Sequence, residues 1–246
     1  MEHKGASLLF PLFAALLVAA VAVPILCVFF SVAPASVVDT FRNTAIQDAA
    51  RVSLLASIGA TALATVLGVP AGYALAHAPA RLRSAALFVL ALPLAFPPVA
   101  SGIMLLSVFS RTAVPDSLLG VIAAEFFVSG SFVAIASAAA FAVLDPIYAD
   151  AARTLGAGEW RIFARVALPA ASTNIVAGIA FAWLRAIGEY GATSIIAYHP
   201  TSLPIALYVT LSASGVHAAL ALCYGFVVLA AIVLGALWVL RRGVVQ

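Results

Sequence analysis

Asp150-Ala-Ala-Arg-Thr-Leu-Gly156, followed after nine residues by Val166-Ala-Leu168-Pro169, is the stretch that decides how this chain is read. It sits in a charged island, residues 145–171, inside a sequence that is otherwise nearly all apolar. The 246 residues are 65% hydrophobic and only 9% charged, with a mean hydropathy of +1.18. No water-soluble domain can cover its surface from that composition. The expectation is an all-α membrane protein, one transmembrane domain over residues 1–246, surrounded by lipid. A long polar loop in such a chain is expected to touch a partner in the cytoplasm. The net charge of +3 is too small to point to nucleic acid. Cys27 and Cys223 both lie in apolar runs and are expected to be buried thiols, with no disulfide framework.

The loop carries its own helix grammar. Asp145 is a suitable N-cap, and Pro146 fits the first helical position, where a missing N–H costs nothing. The first helix should run to about Leu155, with Gly156 as a left-handed stop. A second should begin near Glu159, whose charge suits the positive end of a helix dipole, and Leu168-Pro169 should end it. Ile147, Ala151 and Leu155 share one stripe of the first helix, and Trp160, Phe163 and Ala167 one stripe of the second. Asp150 and Arg153, like Arg161 and Arg165, lie one turn apart on polar sides. Physics alone leaves two readings: an amphipathic connector lying on the membrane, or a docking element for another protein.

Crossing ~30 Å of hydrocarbon takes about 20 apolar residues. Six runs qualify, near residues 8–30, 53–76, 85 onward, 126–144, 173–197 and 218–240. The first is longer than the apolar core of a secretion signal, so it is read as a retained span. In the second, Gly59, Gly68 and Gly72 offer close helix approach. The third is interrupted by Leu92-Pro93-Leu94-Ala95-Phe96-Pro97-Pro98, which must kink or break it. With the N-terminus inside, Lys4, Arg81, Arg83, Arg153, Arg161, Arg165, Arg241 and Arg242 are cytoplasmic, against Arg42, Arg51 and Arg111 outside. That bias places both termini and the 145–171 loop in the cytoplasm.

Arg185-Ala-Ile-Gly188-Glu189-Tyr190-Gly191-Ala-Thr193 puts an ionisable pair inside the fifth span. Spacing i, i+4 lets Arg185 and Glu189 neutralise each other on one helix face. Such a pair is costly in a membrane. It either holds the bundle together or lines a translocation path. Glu125 is read as a boundary residue that caps the fourth span or pairs with Arg111. His199 and His217 have no partners at metal-ligand spacing, so no metal site is expected.

The loop resembles the coupling motif of ABC importer permeases: Glu-Ala-Ala, three residues, Gly, nine residues, Ile, one residue, Leu-Pro. This chain presents Asp150-Ala151-Ala152, Gly156, Val166 and Leu168-Pro169 at that spacing, with Asp for Glu and Val for Ile. The resemblance implies a loop that inserts into a cytoplasmic ATPase subunit, with the second helix, Gly158, Glu159, Trp160, Arg161 and Phe163, as the inserted element. The fifth-span segment is similar to the Arg-Ala-Leu/Ile-Gly/Ser-Glu-Phe-Gly-Ala of molybdate, tungstate and sulfate permeases, with Tyr190 in place of Phe. Residues 195–200 and 204–208 look closest to the molybdate/tungstate branch, and residues 92–102 and the six-span layout add to the wider resemblance. By resemblance, Arg185, Gly188, Glu189, Gly191 and Thr193 line or gate the path.

The fold implied is six transmembrane helices of the methionine/molybdate-importer kind, with cytoplasmic coupling helices. The complex implied holds a second copy of this chain, two cytoplasmic ATP-binding subunits and an external solute-binding protein, in a prokaryotic plasma membrane. No Gly-Lys-Ser/Thr phosphate loop occurs here, so ATP and its magnesium belong to the partner and no cofactor is expected on this chain. The chain itself is not expected to be an enzyme. An ion-coupled secondary transporter would need several deep carboxylates, and only Glu189 offers one. It would also leave the loop unexplained.

Overall fold

A computed structural model describes residues 3–244, and the side chains of 10–239. Lys4, Arg241 and Arg242, which enter the charge count, lie outside the described side chains. Every regular element among the described residues is helical. Five helices are long and apolar enough to cross a membrane, and six spans result if one bent pair counts as a single crossing.

The centre is built from α3 (Thr44–Ala76), α6 (Leu118–Ala142) and α9 (Leu168–Ile187). The contact of α3 with α6 is the most extensive in the molecule. Small residues create it. Ala56, Ala60, Ala64, Gly68 and Gly72 are buried along α3. A Cβ on Gly72 would lie 2.5 Å from Ser137 Cβ and 2.7 Å from the Ala138 nitrogen. Backbones come this close because lipid gives no hydrophobic drive, so helices associate through packing.

Two spans begin earlier than their hydropathy predicts. Asn43 caps α3 by accepting from Ala45 N at 2.9 Å, so the helix starts at Thr44 and carries Asp48 and Arg51 on its first turns. Its 33 residues extend about 50 Å, well beyond the hydrocarbon. Ser117 caps α6 by accepting from Gly120 N at 3.2 Å. Side-chain caps fix these starts, and hydropathy does not register them.

The third span breaks as the prolines require. α4 (Ala80–Ala95) and α5 (Pro98–Phe109) meet at a bend of 108°. Pro93 stays inside α4. The break comes at Phe96, which is extended (ψ 144°) because a following proline disfavours the helical region. Pro97 then stands as N-cap and Pro98 opens α5.

Around this centre lie α1 (His3–Ser31), α2 (Pro34–Arg42), α11 (Leu203–Ser214) and α12 (Val216–Val244). α1 packs chiefly on α12, and its apolar window is not buried at all. Cys27 is therefore exposed on α1 and Cys223 half-buried, both free. The expected burial of Cys27 is corrected: its helix stands at the margin of the chain.

Candidate functional site

The 145–171 loop folds into α7 (Pro146–Thr154) and α8 (Glu159–Ile162). Asp145 Oδ1 accepts from Ile147 N at 3.0 Å, capping α7. Gly156 has φ +78°. Its N–H donates to Arg153 O at 2.9 Å, while Ala157 N donates to Ala152 O at 3.0 Å. This double closure is a Schellman stop, and the left-handed residue is a glycine because a Cβ would be strained there.

Arg153 ties the two helices. Its Nη1 donates to Asp150 Oδ1 at 2.8 Å and its Nε to Glu159 Oε1 at 2.9 Å. The hydrogen bond to Glu159, with that to Asp150, holds the Arg153 guanidinium above its ordinary pKa. Exposed ion pairs contribute little stability, so the tie acts on geometry. Arg153→Ala should leave the melting temperature nearly unchanged while amide hydrogen exchange at Gly156–Arg161 accelerates. Unchanged exchange would show that Arg153 does not hold the loop.

The predicted apolar stripe of the second helix divides. Phe163 and Ala167 turn inward and are buried. The Phe163 ring lies 5.1 Å from Tyr73 and 6.1 Å from Phe141. Trp160 remains outside, 73% exposed, and Leu155 across the loop is 88% exposed. The loop thus anchors itself by Phe163 and presents Leu155 and Trp160, beside the exposed Asp150, Ala151, Gly158, Glu159 and Arg161. Ala152 is half-buried at the closure.

Leu168-Pro169 does not end the second helix. A π turn over Phe163–Ala167 joins α8 to α9, giving one helix from Glu159 to Ile187. Leu168 N donates to Phe163 O, five residues back. Pro169 has no N–H for the carbonyl four residues earlier, and its ring crowds that position. Widening the preceding turn accommodates the proline without breaking the helix.

The fifth span ends earlier than expected, at Ile187 and not near Ala197. After Gly188 the chain leaves the helix, makes the short α10 (Thr193–Ile196) and turns to α11. Glu189 folds back so that its Oε2 lies 2.6 Å from Arg185 Nη2, while its Oε1 accepts from Ala192 N at 2.9 Å. The Arg185 contact is one of charge more than of hydrogen-bond alignment. The Glu189 side chain is 1% exposed and that of Arg185 35%. Gly191 is buried, and a Cβ there would collide with Pro98 Cβ. Gly102 answers from α5, where a Cβ would come 2.7 Å from Ala192 O. Together they seat the proline break against the 188–197 turn. Thr193 is fully buried, whereas Gly188 has room for a side chain.

Three features escaped the sequence reading. Glu125 does not mark a boundary. It lies in the second turn of α6, 1% exposed, within electrostatic reach of Glu189, while Arg111 is exposed. Asp116, at φ +47°, accepts from Tyr198 N at 3.1 Å and donates its own N–H to Ile196 O at 3.0 Å, which pins the turn. The preceding Pro115 signals a bend, but not a partner 80 residues away. The third feature is Ser101, buried at the proline break.

Helices broken around an ion pair whose carboxylate is buried, with an exposed helix–glycine–helix loop, make the frame of a membrane transport subunit. The family model for the inner membrane component of binding-protein-dependent transport systems matches residues 68–241, and the chain belongs to that family. It is 36% identical over 204 residues to a probable molybdenum ABC transporter permease protein of Haloferax volcanii, covering 80% of this chain and 76% of the relative. It is 38% identical over 199 residues to the molybdate/tungstate transport system permease protein WtpB of Thermococcus kodakarensis, covering 79% of this chain and 80% of the relative. A sulfate transport system permease protein of Synechococcus elongatus is 31% identical over 61% of this chain and 57% of its own length. The fold matches that of a bacterial alginate ABC transporter, solved with an alginate pentasaccharide-bound periplasmic protein, at a TM-score of 0.70 and 17% identity, covering 100% of this chain and 98% of the other.

Proposed function

We propose that this chain forms the translocation path of an ATP-driven importer for a tetrahedral metal oxyanion, molybdate or tungstate. The observation that carries the ATP-driven part is the 150–169 loop: a glycine-stopped helix pair, clamped by Arg153, that exposes Leu155 and Trp160 to a partner. The family and the molybdate/tungstate permeases among its relatives support the cargo. Sulfate is the second reading, favoured by the sulfate permease of Synechococcus elongatus, which matches less of the chain.

In this reading residues 1–246 are one transmembrane unit of the plasma membrane, with both termini and the loop cytoplasmic. Two copies enclose the path. Two ATP-binding subunits hold ATP and magnesium and receive Asp150, Gly156, Trp160 and their neighbours. An external solute-binding protein delivers the anion. Arg185, Gly188, Glu189, Gly191 and Thr193 line or gate the path at the end of α9.

The test is uptake of molybdate into proteoliposomes holding the permease with its ATPase and binding protein. Gly156→Val places a β-branched residue at positive φ, a strain of roughly 1–2 kcal/mol, in the loop and nowhere else. Uptake should fall about tenfold, the change that ~1.4 kcal/mol makes, while the protein still inserts and assembles. Full uptake by this variant would remove the loop from the coupling role.

A further inference from the structure

We propose that the cavity at the break between α4 and α5 is an oxyanion-binding point, with the Arg185 guanidinium and the Ser101 hydroxyl as its donors. It rests on the reading that this chain conducts an oxyanion, and it names the groups that would hold that ion in passage.

The cavity has a volume of about 210 Å³, far above the ~10–15 Å³ that one water needs. Pro93, Phe96 and Pro98 of the break form one wall, and Val128 and Phe132 of α6 another. Among the described residues two polar side chains line it, Arg185 and Ser101, and no acidic one does.

Both donors are incompletely used. Ser101 is 0% exposed, and its Oγ has no hydrogen-bond partner among the described residues. Ser57 donates to Leu54 O and Ser53 accepts from Leu203 N, whereas Ser129, Ser137 and Ser202 are buried without a partner among the described residues, as Ser101 is. Of these serines Ser101 is the one that lines the cavity. A helical serine can also bond back to the preceding turn. Ser101 does not, although its own N–H donates to Pro97 O. A buried hydroxyl left so is destabilising unless something satisfies it.

Arg185 gives one nitrogen, Nη2, to Glu189. The guanidinium has five N–H groups in a flat fork suited to oxyanions, and no hydrogen bond among the described residues uses the rest. α5 opens at the same place with Pro97 as its N-cap and no side-chain cap, so the positive end of its dipole adds to the field. Guanidinium, hydroxyl and uncapped helix end all favour negative charge. Glu189 behind the guanidinium offsets part of it, which keeps binding weak enough for release.

The experiment is equilibrium dialysis of molybdate against the assembled permease–ATPase complex in lipid nanodiscs, without the solute-binding protein. The native complex should retain molybdate saturably, with sulfate but not chloride competing. Ser101→Ala should weaken retention about tenfold, in the range of a hydrogen bond to a charged group, while thermal stability stays equal or rises. A merely structural hydroxyl would not produce that combination. Replacing Arg185 and Glu189 together by glutamine leaves no orphan charge and should abolish retention. No saturable retention by the native complex, or retention unchanged in both variants, overturns the proposal. Molybdate uptake by the complete importer is measured alongside. Uptake without retention rejects the site and keeps the importer. Retention without uptake of any oxyanion keeps the site and rejects the importer reading.

Discussion

Arg185→Gln should destabilise the chain by about 3–5 kcal/mol, and by clearly more than Glu189→Gln does. The two substitutions remove opposite ends of one ion pair, but they orphan unequal charges. Arg185→Gln strands the Glu189 carboxylate, which is 1% exposed and keeps only its bond from Ala192 N. A buried charge without a counter-ion is among the most expensive defects a protein can carry. Glu189→Gln strands the guanidinium instead, and that group is 35% exposed with a cavity beside it. The glutamine carbonyl can still accept from Ala192 N. Its cost should stay below about 2 kcal/mol, with transport lost more than assembly. Thermal unfolding of the purified proteins ranks the pair, and uptake reads function separately. Equal melting temperatures, or a less stable Glu189→Gln, would show that the asymmetry of burial does not govern this pair.

Gly72→Val should abolish recovery of monodisperse protein, and Gly72→Ala should already cost roughly 1–3 kcal/mol. The added Cβ meets the Ala138 nitrogen at 2.7 Å and Ser137 Cβ at 2.5 Å. Backbone cannot swing aside as a side-chain tip can, so α3 and α6 must separate, and theirs is the largest contact in the molecule. Gly59 supplies the control. Its nearest neighbour is the Ile122 Cδ1 tip at 3.3 Å, and alanine there should be tolerated. Size-exclusion profiles and melting curves of the three variants test this. An unchanged melting temperature for Gly72→Ala would mean that the helices are not held at the described distance.

The loop was the most legible part of the chain because its signals are local. Asp145, Pro146 and Gly156 each act within a turn of themselves, and the structure places cap, first residue and stop where the sequence puts them. The proline break was equally local. Span limits were less legible because hydropathy reports apolarity and not capping: Asn43 and Ser117 extend α3 and α6 beyond their apolar stretches. Glu125 was misread for the same reason, as a charge taken to mark an edge when the helix had begun two turns earlier. Pro169 was read as a stop, since sequence rules do not foresee a widened turn upstream. The tie from Asp116 to Tyr198 spans 82 positions, and no local pattern encodes it.

The continuous helix from Glu159 to Ile187 makes phase a design variable. Each residue of a regular helix advances about 100°, so Trp160 and Arg185, 25 positions apart, would otherwise point within roughly 20° of one another. The wide turn at Phe163–Ala167 withholds about one residue's rotation, again roughly 100°. It therefore works as a fixed angular offset in a shaft. Trp160 can stand outside the bundle while Arg185 faces the proline break.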